Sequence, residues 1–208
     1  MAAGASLANA FVYSTSFASA DGFVDGGIGF GAPNPDTVIG PGPFSITDSA
    51  GVGLLNNPGT AFTRALIGWL PSDGFDENTV SSAPAGSTIT ITFDNLTVNP
   101  GGSGTRNVGV FGLSYVDNGN ILGASSLAAG GQLTYDATND QIYIDRKTNF
   151  TASLDLATGI ASGVTFDYTQ LWTATATGIY SIDHLINNTS VGVSTGVSPD
   201  FSKSGTDV

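Results

Sequence analysis

The side chains of this chain that could do acid–base or metal chemistry are few enough to name. His184 is the single histidine and Glu77 the single glutamate, and there is no cysteine. The other ionisable groups are mainly aspartates, set against five lysines and arginines, for a net charge of −12. A catalytic triad around His184 needs a nucleophile and an orienting carboxylate. Asp183 adjoins it, but neighbouring side chains on a strand point to opposite faces, so the two cannot pair directly. Glycoside hydrolysis needs two carboxylates about 5–10 Å apart. Glu77 has only Asp73 and Asp76 beside it, in SDGFDEN, which reads as a solvated turn. The inventory predicts a protein that is not an enzyme.

Oxygen ligands are the one kind in excess, and calcium is the ion they suit. The best loops pair Asp21 with Asp25, Asp73 with Asp76, and Asp117-Asn118 with Asn120. None has the full spacing of a calcium loop, and each also reads as a turn closed by its own Asx side chains. No cofactor is required by these residues. GGIGFG at 26–31 lacks the strand–turn–helix setting of a phosphate loop, since Pro33 and Pro35 follow at once. Asn95-Leu-Thr, Asn149-Phe-Thr and Asn187-Asn-Thr-Ser are acceptors for N-glycosylation at Asn95, Asn149, Asn187 and Asn188, and read equally as polar strand edges.

The elements that must carry these residues are strands. Phe11, Tyr13, Thr15 and Phe17 alternate with Val12, Ser14 and Ser16, the period of an extended strand. A Gly/Pro-rich stretch from Asp21 to Pro43 predicts an irregular layer with short strands near Val38 and Phe44 to Ile46. Residues 61–70, AFTRALIGWL, fit one short helix or, nearly as well, a buried strand. From Ser87 onward the pattern is β throughout. Ile89, Ile91 and Phe93 alternate with threonines, 108–116 is apolar on both faces, and Ile142 and Ile144 alternate with Tyr143 and Asp145. Alternation continues through Phe150 to Leu156, Val164 to Tyr168, Trp172 to Ala176 and Ile179 to Leu185. Turn signals fall at Asn99-Pro-Gly-Gly, Asp117-Asn-Gly-Asn, Ala129-Gly-Gly, Asp136 to Asp140 and Thr158-Gly159. Residues from Thr189 on read as an edge strand or a loose tail. About eight to eleven short strands predict an all-β, single-domain, two-sheet sandwich of jelly-roll type, with at most one short helix. Residues 1–17 form an N-terminal segment and 18–208 the sandwich.

Ser16-Phe-Ala-Ser-Ala-Asp-Gly22, Gly130-Gly-Gln-Leu-Thr-Tyr-Asp136 and Tyr180-Ser-Ile-Asp-His-Leu185 resemble stretches of secreted bacterial LamG-like, concanavalin-type jelly rolls. The resemblance implies a sandwich that binds sugars or serves as a surface or matrix module.

Composition narrows the partners. Arg64, Arg106, Arg146, Lys147 and Lys203 are scattered, which argues against nucleic acid, whose phosphates require clustered basic residues. No apolar run approaches the roughly 20 residues that span a bilayer. Zero cysteine excludes disulfides and thiolate zinc sites. Ala8-Asn9-Ala10 resembles the cleavage end of a secretory signal, although the basic start and full apolar stretch of one are missing; an ordinary Ala-rich terminus reads the same way. With 11% charged residues, the surface invites contact with other protein or a carbohydrate coat. The expectation is an extracellular or cell-surface structural protein that polymerises with copies of itself, head to tail. Phe11, Val12, Tyr13 and Phe17 would insert as a strand into the next copy. A carbohydrate-binding module and a viral capsid or decoration subunit are the alternative readings.

Overall fold

The computed structural model describes residues 37–39, 45–49, 52–56, 66–68, 77–99, 104, 106–114, 116–117, 120–121, 127–148 and 151–199. The chain divides into two compact units, Met1–Asp76 and Glu77–Val208. In the first, β1 (Thr37–Ile39) pairs antiparallel with β4 (Leu66–Gly68), and β2 (Ser45–Ser49) with β3 (Val52–Asn56). Within residues 61–70 the strand alternative is therefore the one found, at Leu66–Gly68. The expected boundary at 17/18 and the strand at 10–17 lie outside the described residues.

The second unit is a two-sheet sandwich. Among the described residues its one helix, α1 (Glu77–Ser82), begins in the last two residues of SDGFDEN and runs six residues. Pro84 follows closely, and the residue before a proline is pushed out of helical conformation, so the helix stays short. Sheet I has the order β11 (Thr151–Ala161), β10 (Gln141–Thr148), β9 (Leu127–Asp136), β6 (Arg106–Ser114). Sheet II has the order β14 (Thr189–Val197), β13 (Ile179–Ile186), β12 (Thr165–Ala176), β5 (Thr88–Thr97). A further pair, β7 (Val116–Asp117) and β8 (Asn120–Ile121), makes a small hairpin. Every pairing is antiparallel.

The all-β sandwich is thus as the sequence predicts. Among the described strands, β9–β10–β11 and β12–β13–β14 are plain meanders, with β6 and β5 added at one end of each, and the two Greek keys of a jelly roll are not seen among them. The turns account for the meanders. Asn187 and Asn188 both take positive φ, 48° and 63°, as a two-residue type I′ hairpin requires, and so lock β14 beside β13. The 137–140 turn is closed by the Asp136 carboxylate, which accepts from Thr138 N–H at 2.8 Å and from Asn139 Nδ2 at 2.8 Å. Tight turns oblige sequence neighbours to be sheet neighbours.

Two expected turns are strand instead. Ala129-Gly-Gly lies inside β9, fully buried, because the sheets approach closely there: a Cβ on Gly131 would collide with the Tyr168 hydroxyl. Thr158-Gly159 lies inside β11, where a Cβ on Gly159 would meet the Gln141 side chain; the chain turns later, at Ser162-Gly163. The core between the sheets joins Leu133, Tyr135, Ile142, Ile144 and Ile160 of sheet I to Phe166, Tyr168 and Ile186 of sheet II. Such burial, at about 25 cal/mol per Å² of apolar surface, is what holds the two layers together. At one end α1 closes against β13, where Tyr180 Oη donates to the Val80 carbonyl at 2.6 Å.

Candidate functional site

The strand period that buries Phe166 and Ile182 also turns polar side chains inward. On β12, Tyr168, Gln170 and Trp172 follow at two-residue spacing and all three have no exposed surface. On β13 the same period carries Tyr180, Ile182 and His184 inward, each likewise fully buried. Buried polar groups must find partners or pay the full desolvation cost. Here they partner one another in a line across three strands. Trp172 Nε1 donates to Gln170 Oε1 at 3.1 Å, and Gln170 Nε2 donates to the Tyr168 hydroxyl at 3.1 Å. The Tyr168 hydroxyl lies 2.8 Å from His184 Nδ1, and His184 Nε2 lies 3.2 Å from Ser194 Oγ on β14.

Gln170 Nε2 can only donate, so the Tyr168 oxygen accepts there. Which of the Tyr168 hydroxyl and His184 Nδ1 donates, and which of His184 Nε2 and Ser194 Oγ, follows the imidazole tautomer. Burial lowers the His184 pKa from 6.5 to about 4; the nearby Asp183 charge opposes this and Arg146 adds to it. The imidazole is held neutral at physiological pH. Burial likewise raises the Tyr168 hydroxyl well above its ordinary value, with the Gln170 bond partly opposing. Arg146 of β10 reaches across from sheet I, its Nη1 donating to the Val193 carbonyl at 3.4 Å. The rings pack in register: Tyr168 and His184 lie 6.2 Å apart and 7° from parallel, and Trp172 meets Tyr180 edge-on at 5.6 Å.

A serine on an imidazole looks like half of a nucleophile–base pair. Its geometry points elsewhere. The group that orients the ring is a tyrosine, not a carboxylate, and His184 and Ser194 are 0% and 3% exposed. Asp183 faces away, as strand alternation requires, and accepts from Ser190 Oγ at 2.5 Å. What this arrangement does chemically is to lock β12, β13 and β14 in one register around a neutral ring. Its residues were findable in the sequence, because Gln170 shares the parity of Phe166, Tyr168 and Trp172; a polar residue on an apolar face was the signal.

The other predicted site residues fall as follows. Asn95 sits in the bulge of β5 with φ 56°, its N–H donating to Asp167 Oδ1 at 2.8 Å. Asp167 N–H in turn donates to Asn187 Oδ1 at 2.9 Å, so these two acceptor asparagines meet through one aspartate at one end of sheet II. Asn188 is exposed at the hairpin tip. Asp117 pairs with Asn120 across the β7–β8 hairpin. Asn149, Asp21, Asp25, Asp73 and Asp76 lie outside the described residues, as do Phe11, Val12, Tyr13 and Phe17. Among the described residues no three His, Asp or Glu side chains gather as metal ligands would, and no helix is long and apolar enough to cross a membrane.

The second feature of sheet II is its edge. Among the described strands β5 pairs with β12 alone. Its inward residues Ile89, Ile91 and Phe93 are only half-buried, and Thr88, Thr90 and Thr92 are exposed on the outer face. Ala174 N–H donates to the Ser87 carbonyl at 2.8 Å. Antiparallel bonding alternates along a strand, so Ile89 and Ile91 turn their backbone groups to β12, while Thr88, Thr90 and Thr92 turn theirs to the open side.

No protein family, no curated protein and no solved structure matches this chain.

Proposed function

We propose that this protein is a non-enzymatic structural subunit of the cell surface or extracellular space, which assembles head to tail with copies of itself into a fibre or layer. The observation that carries the reading is the edge that sheet II shows among the described strands: an uncharged, alternating strand whose inward apolar residues are only partly buried. Natural sheets guard such edges with lysine, proline or a covering element, because an open ladder recruits another strand. TITITF, residues 88–93, has neither lysine nor proline. The partner strand in this reading is Phe11, Val12, Tyr13 and Phe17 of the next copy, supplying backbone bonds and large apolar side chains. A heterologous contact of this kind propagates without closing. The sealed Ser194–His184 pair supports a scaffold role over catalysis. Glycans at Asn95, Asn149, Asn187 or Asn188 would coat a surface poor in charge, and calcium held in the Asp loops would stiffen it.

The test is negative-stain electron microscopy of the full chain beside a variant lacking residues 1–17. Filaments or sheets from the full chain that vanish on truncation are the expected result. Discrete monomers in both samples would overturn the reading and send the same material to a glycan array with and without calcium, where saturable binding to one sugar class would mark a carbohydrate-binding module.

A further inference from the structure

We infer that β14 is a strand released by acid: a proton taken up by His184 frees Thr189–Val197 from β13 and leaves β12 and β13 paired. The ring is the pin between these strands. His184 is fully buried, with the Tyr168 hydroxyl of β12 at 2.8 Å from Nδ1 and Ser194 Oγ of β14 at 3.2 Å from Nε2. A neutral imidazole donates from one nitrogen and accepts at the other, so one of these hydroxyls can donate to it. A protonated ring donates from both. Both oxygens must then accept, although the Tyr168 oxygen already accepts from Gln170 Nε2. Charge opposes protonation as well. Arg146 of β10 sets a second cation against the same stretch of β14, its Nη1 donating to the Val193 carbonyl at 3.4 Å. Asp183 favours the charged ring but lies on the opposite face of β13, where Ser190 Oγ donates to it. Asp145, next to Arg146, is engaged by Thr134.

β14 resists such a change less than β12 or β13. Of its residues only Ser194 and Val197 are buried, whereas β12 buries Phe166, Tyr168, Gln170, Trp172 and Ala174, and β13 buries every second residue from Tyr180 to Ile186. Its ladder to β13 is broken on either side of the Ile182–His184 stretch, by register shifts between Tyr180 and Ile182 and between His184 and Leu185. Local opening draws on segments with few buried apolar contacts. With β14 away, Nε2 reaches water and the ring takes its ordinary pKa of 6.5, against about 4 in the closed sheet. The closed value is the depressed one, so closure is fully favoured above pH 6.5 and weakens as pH falls from 6.5 toward 4. Within that window the open population rises about tenfold per pH unit.

Because the chain has no cysteine, one introduced thiol reports opening without background. Val197→Cys places it at the buried end of β14, and Ala174→Cys in the buried row of β12, at positions 4% and 2% exposed. Each full-length variant is reacted with dithiodipyridine, which attacks thiols in mild acid, as the pH is lowered from 6.5 to about 4. Rates are divided by those of an unfolded peptide thiol at the same pH. The Val197→Cys rate is expected to rise about tenfold per pH unit while Ala174→Cys stays protected. His184→Gln, which keeps a polar side chain and takes no proton, should abolish the rise. Both thiols reacting together would mean that the sheet opens as a whole, and a rise that persists in His184→Gln would assign it to another group. Either result overturns the inference, as does a Val197→Cys thiol that stays protected throughout. Where His184→Gln does not fold, NMR of the wild-type chain follows the ring proton and the β14 amides together. Loss of β14 protection is expected to coincide with titration of the ring, and a ring that titrates with β14 still protected overturns the inference.

Discussion

Sheet II handles the same pattern in two ways. At its centre, β12 and β13 have neighbours on both sides, and their inward side chains, polar and apolar alike, are sealed from water. At its edge, β5 repeats the alternation with isoleucine, phenylalanine and threonine, yet leaves its inward side chains half-covered. Composition does not account for the difference, since Ile182 and Ile91 are the same residue type facing the same way. What differs, among the described strands, is the number of neighbours: two for β12 and β13, one for β5. Burial in a sheet is a property of position in the ladder, and an inward row that is only partly buried keeps apolar surface in contact with water.

The largest expected effect tests this contrast within one residue type. Ile182→Ala should cost about 2–5 kcal/mol, the transfer term plus an unrelaxed cavity. Ile91→Ala, half-exposed before the change, should cost about half of that in the unassembled chain. Urea denaturation read by tryptophan fluorescence measures both. Equal costs would mean that β5 is as well covered as the centre, and would remove the main ground for treating it as an open edge.

Acid gives the next effect, and it acts on the centre alone. The unfolded chain takes up a proton on its histidine near pH 6.5, whereas folded His184 resists protonation down to about pH 4. Stability from this group is therefore complete above pH 6.5 and is lost progressively as pH falls from 6.5 toward 4, a total of about 3 kcal/mol. Asp136 and Asp140 titrate in a lower window. Hydrogen bonds from Thr138 and Asn139 to the first, and from Ser162 and Tyr135 to the second, hold both carboxyls below 3.8, so the stability they add is lost only in stronger acid. His184→Phe should flatten the pH dependence between 4 and 6.5 and leave the acid limb in place. An unchanged slope in that variant would show that the ring is not the titrating group.

How far the molecule is legible from its residues follows the same division. The alternation of Ile89-Ile91-Phe93 with threonine, and of Tyr180-Ile182-His184 with Ser181 and Asp183, predicts both strands and which side chains face in. Asn187-Asn188 marks its hairpin because asparagine tolerates the positive φ that a type I′ turn demands. What eludes sequence is whatever depends on contacts across the sandwich. Ala129-Gly-Gly reads as a turn, but its glycines serve a close approach to Tyr168 from the facing sheet. Asp145 alternates with Ile144 as a solvent-facing residue would, yet it is 2% exposed and accepts from Thr134 Oγ1 at 2.5 Å. At the candidate site Asp183 drew the reasoning by adjacency, while the groups that bond His184, Tyr168 and Ser194, lie 16 and 10 residues away.

The smallest effect isolates the polar line itself. Tyr168→Phe keeps the ring, its offset stack on Phe93 at 6.3 Å and its fit against Gly131, and removes only the hydroxyl. Gln170 Nε2 then loses an acceptor and His184 Nδ1 its partner, both inside the sandwich. Leaving such groups without those partners costs about 1–3 kcal/mol, more than one hydrogen bond is worth net, because each loses its hydration without replacement. A purely apolar role for Tyr168 predicts a change near zero, since the removed oxygen leaves little volume behind.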